Sequence, residues 1–240
     1  MLDHSASPVF NFQEGEILLF NKPETWTSFN VVSKVRGLIR YHRKIKKLKV
    51  GHAGTLDPLA TGLLIICTGK LTKQINRIQE AEKEYTGTFH LGASTPSFDR
   101  ETPIDHSYPT EHITEEKILE TAASFRGSIE QVPPVYSAIK VKGERAYNYA
   151  RGNTEVELKS RNVNIYEFEI VRIALPEVDF RIVCSKGTYI RSLARDLGLA
   201  LDSGAYLKQL TRTRIGHFKL DEALEIEQFE EIVKQLSKNT

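Results

Sequence analysis

Short runs in which apolar and polar residues alternate recur along the chain, separated by stretches whose apolar residues stand three and four apart. Alternating or continuous apolar runs predict strands over Glu16–Phe20, Leu63–Cys67, Thr86–Gly92 and Val135–Val141. Arg161–Leu175 and Glu177–Ser185 read as the arms of an antiparallel hairpin around Pro176. The spacing of Phe29, Val31, Val32, Val35 and Leu38 predicts a helix that starts at the N-cap pair Thr27-Ser28 and ends near Arg40. Helices are also expected over Leu71–Ala81, Thr114–Phe125 and Ala146–Arg151, within Lys186–Gly198 with Thr188 as N-cap, and over Asp221–Gln235. Strand pairs with inserted helices, and few long βαβ repeats, point to an α+β fold with a mostly antiparallel central sheet. Residues 1–14 lack periodicity and read as a loose lead-in, and Ala93–Thr110, rich in Ser, Thr, Pro and Asp, reads as an exposed loop.

At 240 residues the chain can bury a sizeable core. No apolar run approaches the roughly 20 residues that span a bilayer, and the N-terminus lacks a signal pattern, so the expected location is the cytoplasm. Cys67 and Cys184 each lie in an apolar stretch and read as buried thiols. The net charge of +2 says little, but its distribution is uneven. Residues 25–56 hold eight cations (Lys34, Arg36, Arg40, Arg43, Lys44, Lys46, Lys47 and Lys49) and no acid. A second acid-free stretch, Ser203–Leu220, carries Lys208, Arg212, Arg214 and Lys219, and a third cluster gathers Lys140, Lys142, Arg145 and Arg151. Such clustering suits a nucleic-acid backbone, although unrelated solvated faces would produce the same pattern.

Directly after the first basic run comes Gly51-His52-Ala53-Gly54-Thr55-Leu56-Asp57-Pro58-Leu59-Ala60-Thr61-Gly62. The glycines permit backbone shapes closed to other residues, and Pro58 biases Asp57 away from the helical region, so one carboxylate can be held rigidly beside many cations. A Gly-rich turn introducing the strand Leu63–Cys67 accounts for the same residues. A phosphate loop fits poorly, because Gly69-Lys70-Leu71 lacks the Ser or Thr that positions magnesium. His52 and Asp57 have no third ligand close by, so no metal is expected.

The string 51–62 resembles the catalytic motif of the TruB family of tRNA pseudouridine synthases, close to G-H-x-G-x-L-D-P-x-A-x-G. Further resemblance lies in Lys22-Pro23, Lys83-Glu84-Tyr85, Pro133–Tyr147 with Ala150-Arg151-Gly152, Lys186–Gly198 and Leu207–Gly216, together covering about Glu16–Leu220. It implies isomerisation of uridine 55 in the T-loop of tRNA, with Asp57 as nucleophile, Tyr85 packed on the target base, and Arg191 as the cation that keeps Asp57 ionised. It also places Lys22, His52, Gly54, Leu56, Lys140, Tyr189 and Leu207 around the nucleotide, with His52 filling the stack that the flipped base leaves. Arg43, Lys44, Lys46, Lys47, Lys49, Arg151, Arg212 and Arg214 are the expected contacts to RNA phosphates. The reaction needs no redox or phosphoryl chemistry, so no cofactor is expected.

The chain departs from the family pattern in Asn21, where Asp is common, in Trp26 and Phe29, and in Thr95-Pro96-Ser97, where a Thr-Asp-Thr triplet is usual. The expected organisation is one catalytic domain over 15–240, closing in a helix at about 221–236 without the RNA-binding PUA domain of many members. A monomer with no obligate protein partner and no membrane association is expected. The reading from another class is an RNA chaperone that uses the same basic surface to fold tRNA.

Overall fold

The computed structural model describes residues 10–137, 140, 141, 144, 145 and 158–238, and only the backbone of 140, 141, 144, 145 and 238. In chain order the elements are β1 (Ile17–Lys22), α1 (Ser28–His42), β2 (Val50–His52), β3 (Thr61–Thr68), a 3₁₀ turn (Gly69–Gln74), α2 (Ile75–Glu80) and β4 (Lys83–Leu91). There follow β5 (Ala93–Ser94), β6 (His106–Ser107), α3 (Glu115–Ser124), β7 (Gly127–Gln131), β8 (Lys140–Val141), β9 (Glu144–Arg145), β10 (Arg161–Ala174) and β11 (Glu177–Cys184). The last are α4 (Ile190–Ala200), β12 (Ala205–Ile215), β13 (Phe218–Lys219) and α5 (Ile226–Lys238). The expected helix over Ala146–Arg151 lies outside the described residues.

Two compact units emerge, one of Met1–Ala81 with Thr213–Thr240 and one of Glu82–Arg212. In the first, β3 pairs antiparallel with both β1 and β2. Its residues Leu63 to Cys67 are all fully buried, which explains a continuous apolar run where a one-sided strand would alternate. Leu64 and Ile66 point into a core built with Phe20, with Val31, Val35 and Ile39 of α1, and with Ile226, Phe229 and Val233 of α5. Leu63, Ile65 and Cys67 point the other way, into a cluster with Ala53, Ile215, Ile75 and Ile78. Thr27 caps α1 through a reciprocal pair: the Asn30 amide donates to Thr27 Oγ1 (3.0 Å) and the Thr27 amide to Asn30 Oδ1 (2.8 Å).

Burial pushes the Cys67 thiol up to about 11 and the Cys184 thiol up to about 12. Both therefore stay protonated in the fold at neutral pH. Because the folded values are raised, this contribution to stability is intact below the unfolded thiol value and is lost as the pH climbs toward 11 and 12. Iodoacetamide at pH 8 is expected to leave both cysteines unmodified until denaturant unfolds the chain; mass spectrometry showing prompt native labelling would contradict their placement.

Two expected helices are altered by local competition. In 69–74 the Thr72 hydroxyl donates to the Gly69 carbonyl (2.8 Å), so a tight 3₁₀ turn precedes a short α2. The last helix begins at Ile226 because Leu224 stays extended to bond β1: its amide donates to Leu19 O (2.9 Å) and its carbonyl accepts from the Asn21 amide (3.0 Å).

In the second unit the strand order is β12-β4-β11-β10-β7. The hairpin of β10 and β11 turns at Pro176 as expected, and β4 pairs antiparallel with β11, setting Tyr85 opposite Ile182. Strand β7 was not anticipated, since Gly-Ser-Ile-Glu-Gln shows no apolar alternation; pairing with β10 makes it a strand. Conversely, among the described residues of the strand expected over Val135–Val141, Lys140 and Val141 are extended in a ladder and 135–137 form a bend; 138 and 139 lie outside the described residues. The Ala93–Thr110 segment is exposed as expected over most of 100–110, but its first part is not: Thr95, Ser97 and Asp99 are buried, and hydroxyls of Thr95 and Ser97 both donate to Asp99 O (2.6 and 3.2 Å). Thr188 does not cap α4; its hydroxyl donates to Ser185 O (3.0 Å) and Tyr189 occupies the cap position. The architecture is α+β with antiparallel pairing in every ladder whose register is described. Among the described residues no helix is long and apolar enough to cross a membrane.

Candidate active site

In the first unit the Asp57 loop leaves β2 at His52 and enters β3 at Thr61, and its shape depends on two glycines. Gly54 and Gly62 sit at φ +101° and +100°, a region that resists a Cβ. Between them Asp57 is half-buried, and its backbone carbonyl accepts from the Ala60 amide (3.1 Å), closing the turn through Pro58. Three neighbours brace this turn from the β1–α1 segment. Ser28 Oγ, buried in the first turn of α1, donates to Leu56 O (3.1 Å) and accepts from the Leu56 amide (2.8 Å). Thr25, a β-branched residue at φ +72°, donates its amide to Pro58 O (2.8 Å). That conformation is strained for threonine and persists because surrounding contacts fix it.

The third brace is Lys22, whose Nζ donates to the carbonyls of Trp26 (2.6 Å), Pro23 (2.8 Å) and Pro58 (3.2 Å). Its side chain is wholly buried. The sequence reading made Lys22 a nucleotide contact; the structure makes it a charged strut under the loop, because a buried ammonium must be surrounded by acceptors. Ser28→Ala is expected to lower the unfolding free energy by about 1–3 kcal/mol, since it strips both Leu56 groups of a buried partner. A urea titration would show this as a lower midpoint at unchanged slope.

The second unit holds Arg191 in the first turn of α4, 4 % exposed. Its guanidinium donates to Ser97 O (3.1 Å) and Tyr136 O (2.9 Å), and its Nε lies 3.6 Å from Asp99 Oδ2. Asp99 is itself buried and also accepts from the Glu101 amide (2.9 Å), so the divergent 95–102 segment forms a built socket for the arginine. Sequence reasoning gave Asp99 and Ser97 no role; the only signal was the departure of Thr95-Pro96-Ser97 from the family triplet. Gln131, equally missed and fully buried, grips the helix entry by donating Nε2 to Tyr189 O (3.1 Å) and accepting from the Tyr189 amide at Oε1 (2.8 Å). Tyr189 is half-buried with the Arg161 guanidinium over its ring at 4.6 Å.

Tyr85, 9 % exposed on β4, is hydrogen-bonded by Arg212 of β12. Burial pushes the Arg212 guanidinium below its ordinary value, and the contact with Tyr85 opposes that shift. With 1 % exposure Arg212 does not face phosphate, which corrects the sequence expectation: the charge is spent inside the fold, orienting a tyrosine. Leu207, also buried, is held by its amide on Phe98 O (2.9 Å).

The remaining expected contacts divide by exposure. Lys44, Lys46, Lys47 and Lys49 are exposed. Arg43 is partly buried and donates to Leu236 O (2.8 Å) near the end of α5, and Arg214 donates to Gly216 O (2.9 Å). His52, on β2, and Gly54 are half-buried, and Leu56 is buried. Lys140 contributes only backbone to the described structure, and Arg151 lies outside it.

Comparison with known proteins adds the family. Residues 42–190 match the TruB family pseudouridylate synthase N-terminal domain, and 191–239 the tRNA pseudouridylate synthase B C-terminal domain. The tRNA pseudouridine synthase B of Phocaeicola vulgatus is 57 % identical over 225 residues, spanning 94 % of this chain and 96 % of that protein. That of Flavobacterium johnsoniae is 56 % identical over 221 residues, spanning 92 % and 96 %. Among solved structures, a chain of a Cbf5-Nop10-Gar1 complex superposes with TM-score 0.69 at 31 % identity, and one of an archaeal box H/ACA Nop10-Cbf5 complex with 0.68 at 28 %. The chain covers 92 % and 95 % of itself in these matches but spans only about half of those longer chains, 54 % and 56 %.

Proposed function

The chain belongs to the TruB family of pseudouridylate synthases, and from that premise we propose that its target is uridine 55 in the T-loop of tRNA, with Asp57 as the nucleophile. The reaction is isomerisation of a tRNA uridine to pseudouridine: the bond from ribose C1′ to uracil N1 breaks, the uracil turns in place, C1′ joins C5, whose hydrogen leaves to solvent, and N1 takes up a proton in its place. A carboxylate can serve by attacking C1′ or by removing a sugar proton, and either path ends in loss of the C5 hydrogen. Asp57, Tyr85 and Arg191 are the proposed catalytic residues. His52, Gly54, Leu56, Lys140, Tyr189 and Leu207 form the nucleotide surroundings, and exposed Lys44, Lys46, Lys47 and Lys49 face RNA phosphate.

The observation that carries this reading is the loop 51–62, which presents a single carboxylate and whose backbone on either side of it is held by Lys22, Ser28 and Thr25. Relatives named as synthases over nearly their whole length favour an enzyme over the RNA-chaperone reading. We read 15–240 as one catalytic domain that acts as a monomer in the cytoplasm, with tRNA as its partner. Tritium release from C5-labelled uridine in unmodified tRNA tests the assignment. Release is expected from tRNA and not from a transcript whose T-loop target uridine is replaced by cytidine. Binding without release from either RNA would overturn it.

A further inference from the structure

Apart from the catalytic loop, the C-terminal end of α1 borders an open recess of about 560 Å³ lined by Gly37, Arg40, Tyr41, Lys44, Ile45 and Lys46. Three of these residues are poor choices for the fold alone. Gly37 lies inside α1, where only proline is a worse helix former, yet a Cβ there would meet nothing within 4 Å. No close approach demands glycine; what the missing side chain does is leave the recess open. One turn on, Tyr41 is 79 % exposed, its ring meeting only the edge of His42 at 4.9 Å among the described ring contacts. Lys44 stands at φ +52°, just past the helix end, where glycine or asparagine is the easy residue and lysine is strained. Helix-dipole compensation accounts for Arg40 in the last turn, but not for a bare tyrosine, an unforced glycine or a strained lysine. None of the six lining residues is acidic.

We propose that this recess binds one unpaired nucleotide of the RNA substrate, its base stacked on Tyr41 and its phosphate held by Arg40, Lys44 and Lys46. The inference rests on the tRNA reading above and adds a site apart from the reacting uridine. Aromatic stacking combined with cations on the backbone is how unpaired nucleotides are generally gripped, and the volume falls within the range of small-ligand pockets. A phosphate alone would need no aromatic, and an apolar peptide would not choose a rim of three cations.

Equilibrium binding of unmodified tRNA decides the matter, measured for wild type, Tyr41→Ala, Tyr41→Phe and Gly37→Gln alongside KM, kcat and thermal melting. Tyr41→Ala is expected to raise Kd and KM by roughly 5- to 100-fold, the effect of losing one base–aromatic stack, with kcat at saturating tRNA within about twofold of wild type. Phenylalanine keeps the stacking face and should bind within about twofold of wild type. Gly37→Gln fills the recess with a better helix former, so binding should fall while the melting temperature holds or rises. The proposal is overturned if Tyr41→Ala binds like wild type, if phenylalanine loses as much as alanine, or if Gly37→Gln binds normally. A wild type that binds tRNA without isomerising it would sink the activity reading, and the binding comparison among variants would still decide the recess.

Discussion

Asp57→Asn is expected to lower the isomerisation rate by at least about 10³-fold while tRNA binding stays near wild type, as removal of a nucleophile acting within a preorganised site typically does. Asparagine is nearly isosteric, so what it removes is the negative charge. The contacts that shape the loop run through backbone and neighbours: Ala60 donates to the Asp57 carbonyl, Lys22 and Thr25 bond Pro58 O, and Ser28 bonds Leu56. These contacts run through backbone groups of the loop, so this bracing should persist in the variant. Single-turnover tritium release, with a thermal melt as control, separates lost chemistry from lost structure. Retention of more than about a tenth of the wild-type rate in a well-folded variant would remove Asp57 from the role of nucleophile.

Arg191→Met is expected to cost about 3–5 kcal/mol of stability and to abolish activity as well. Methionine keeps much of the volume but withdraws donors from Ser97 O and Tyr136 O, and it leaves the buried Asp99 carboxylate without the charge 3.6 Å away. Removing one member of a buried pair costs more than the pair contributes, because the survivor stays desolvated. Arg191→Lys should be intermediate, since a point charge on a flexible stem cannot reach two diverging carbonyls and a carboxylate together. The matched variant Asp99→Asn in the methionine background should recover part of the loss by relieving the unpaired charge. Urea unfolding of wild type, Arg191→Met, Asp99→Asn and the double variant gives the coupling directly, and a methionine variant within about 1 kcal/mol of wild type would contradict the buried socket.

The elements legible in the chain were those with a strong local signal. The continuous run Leu63–Cys67 became the most buried strand of its unit, and Thr27 with Asn30 closed the expected cap of α1. Alternation on both sides of Pro176 marked the hairpin of β10 and β11. The motif string around Asp57, and its order relative to Lys22, Tyr85 and Arg191, sufficed to identify the family, because that information is carried by residue type and sequence order alone.

What sequence could not determine was where charge and polarity end up. Lys22 read as a nucleotide contact and Arg212 as a phosphate contact, because nothing in their neighbourhoods announces burial. Lys22 meets the Pro58 carbonyl across 36 positions, and Arg191 meets Ser97 O across 94. The 93–110 segment has the composition of a solvated loop, yet within 95–102 its hydroxyls satisfy one another and the Asp99 backbone, which lets that part pack under an arginine. β7 likewise has no pattern of its own and is a strand through its ladder to β10. Local propensity and apolar periodicity are properties of adjacent residues, so the chain alone determined its elements and its family; whether a cation faces solvent or becomes a buried strut depends on acceptors from distant segments, and only the tertiary structure brings those into place.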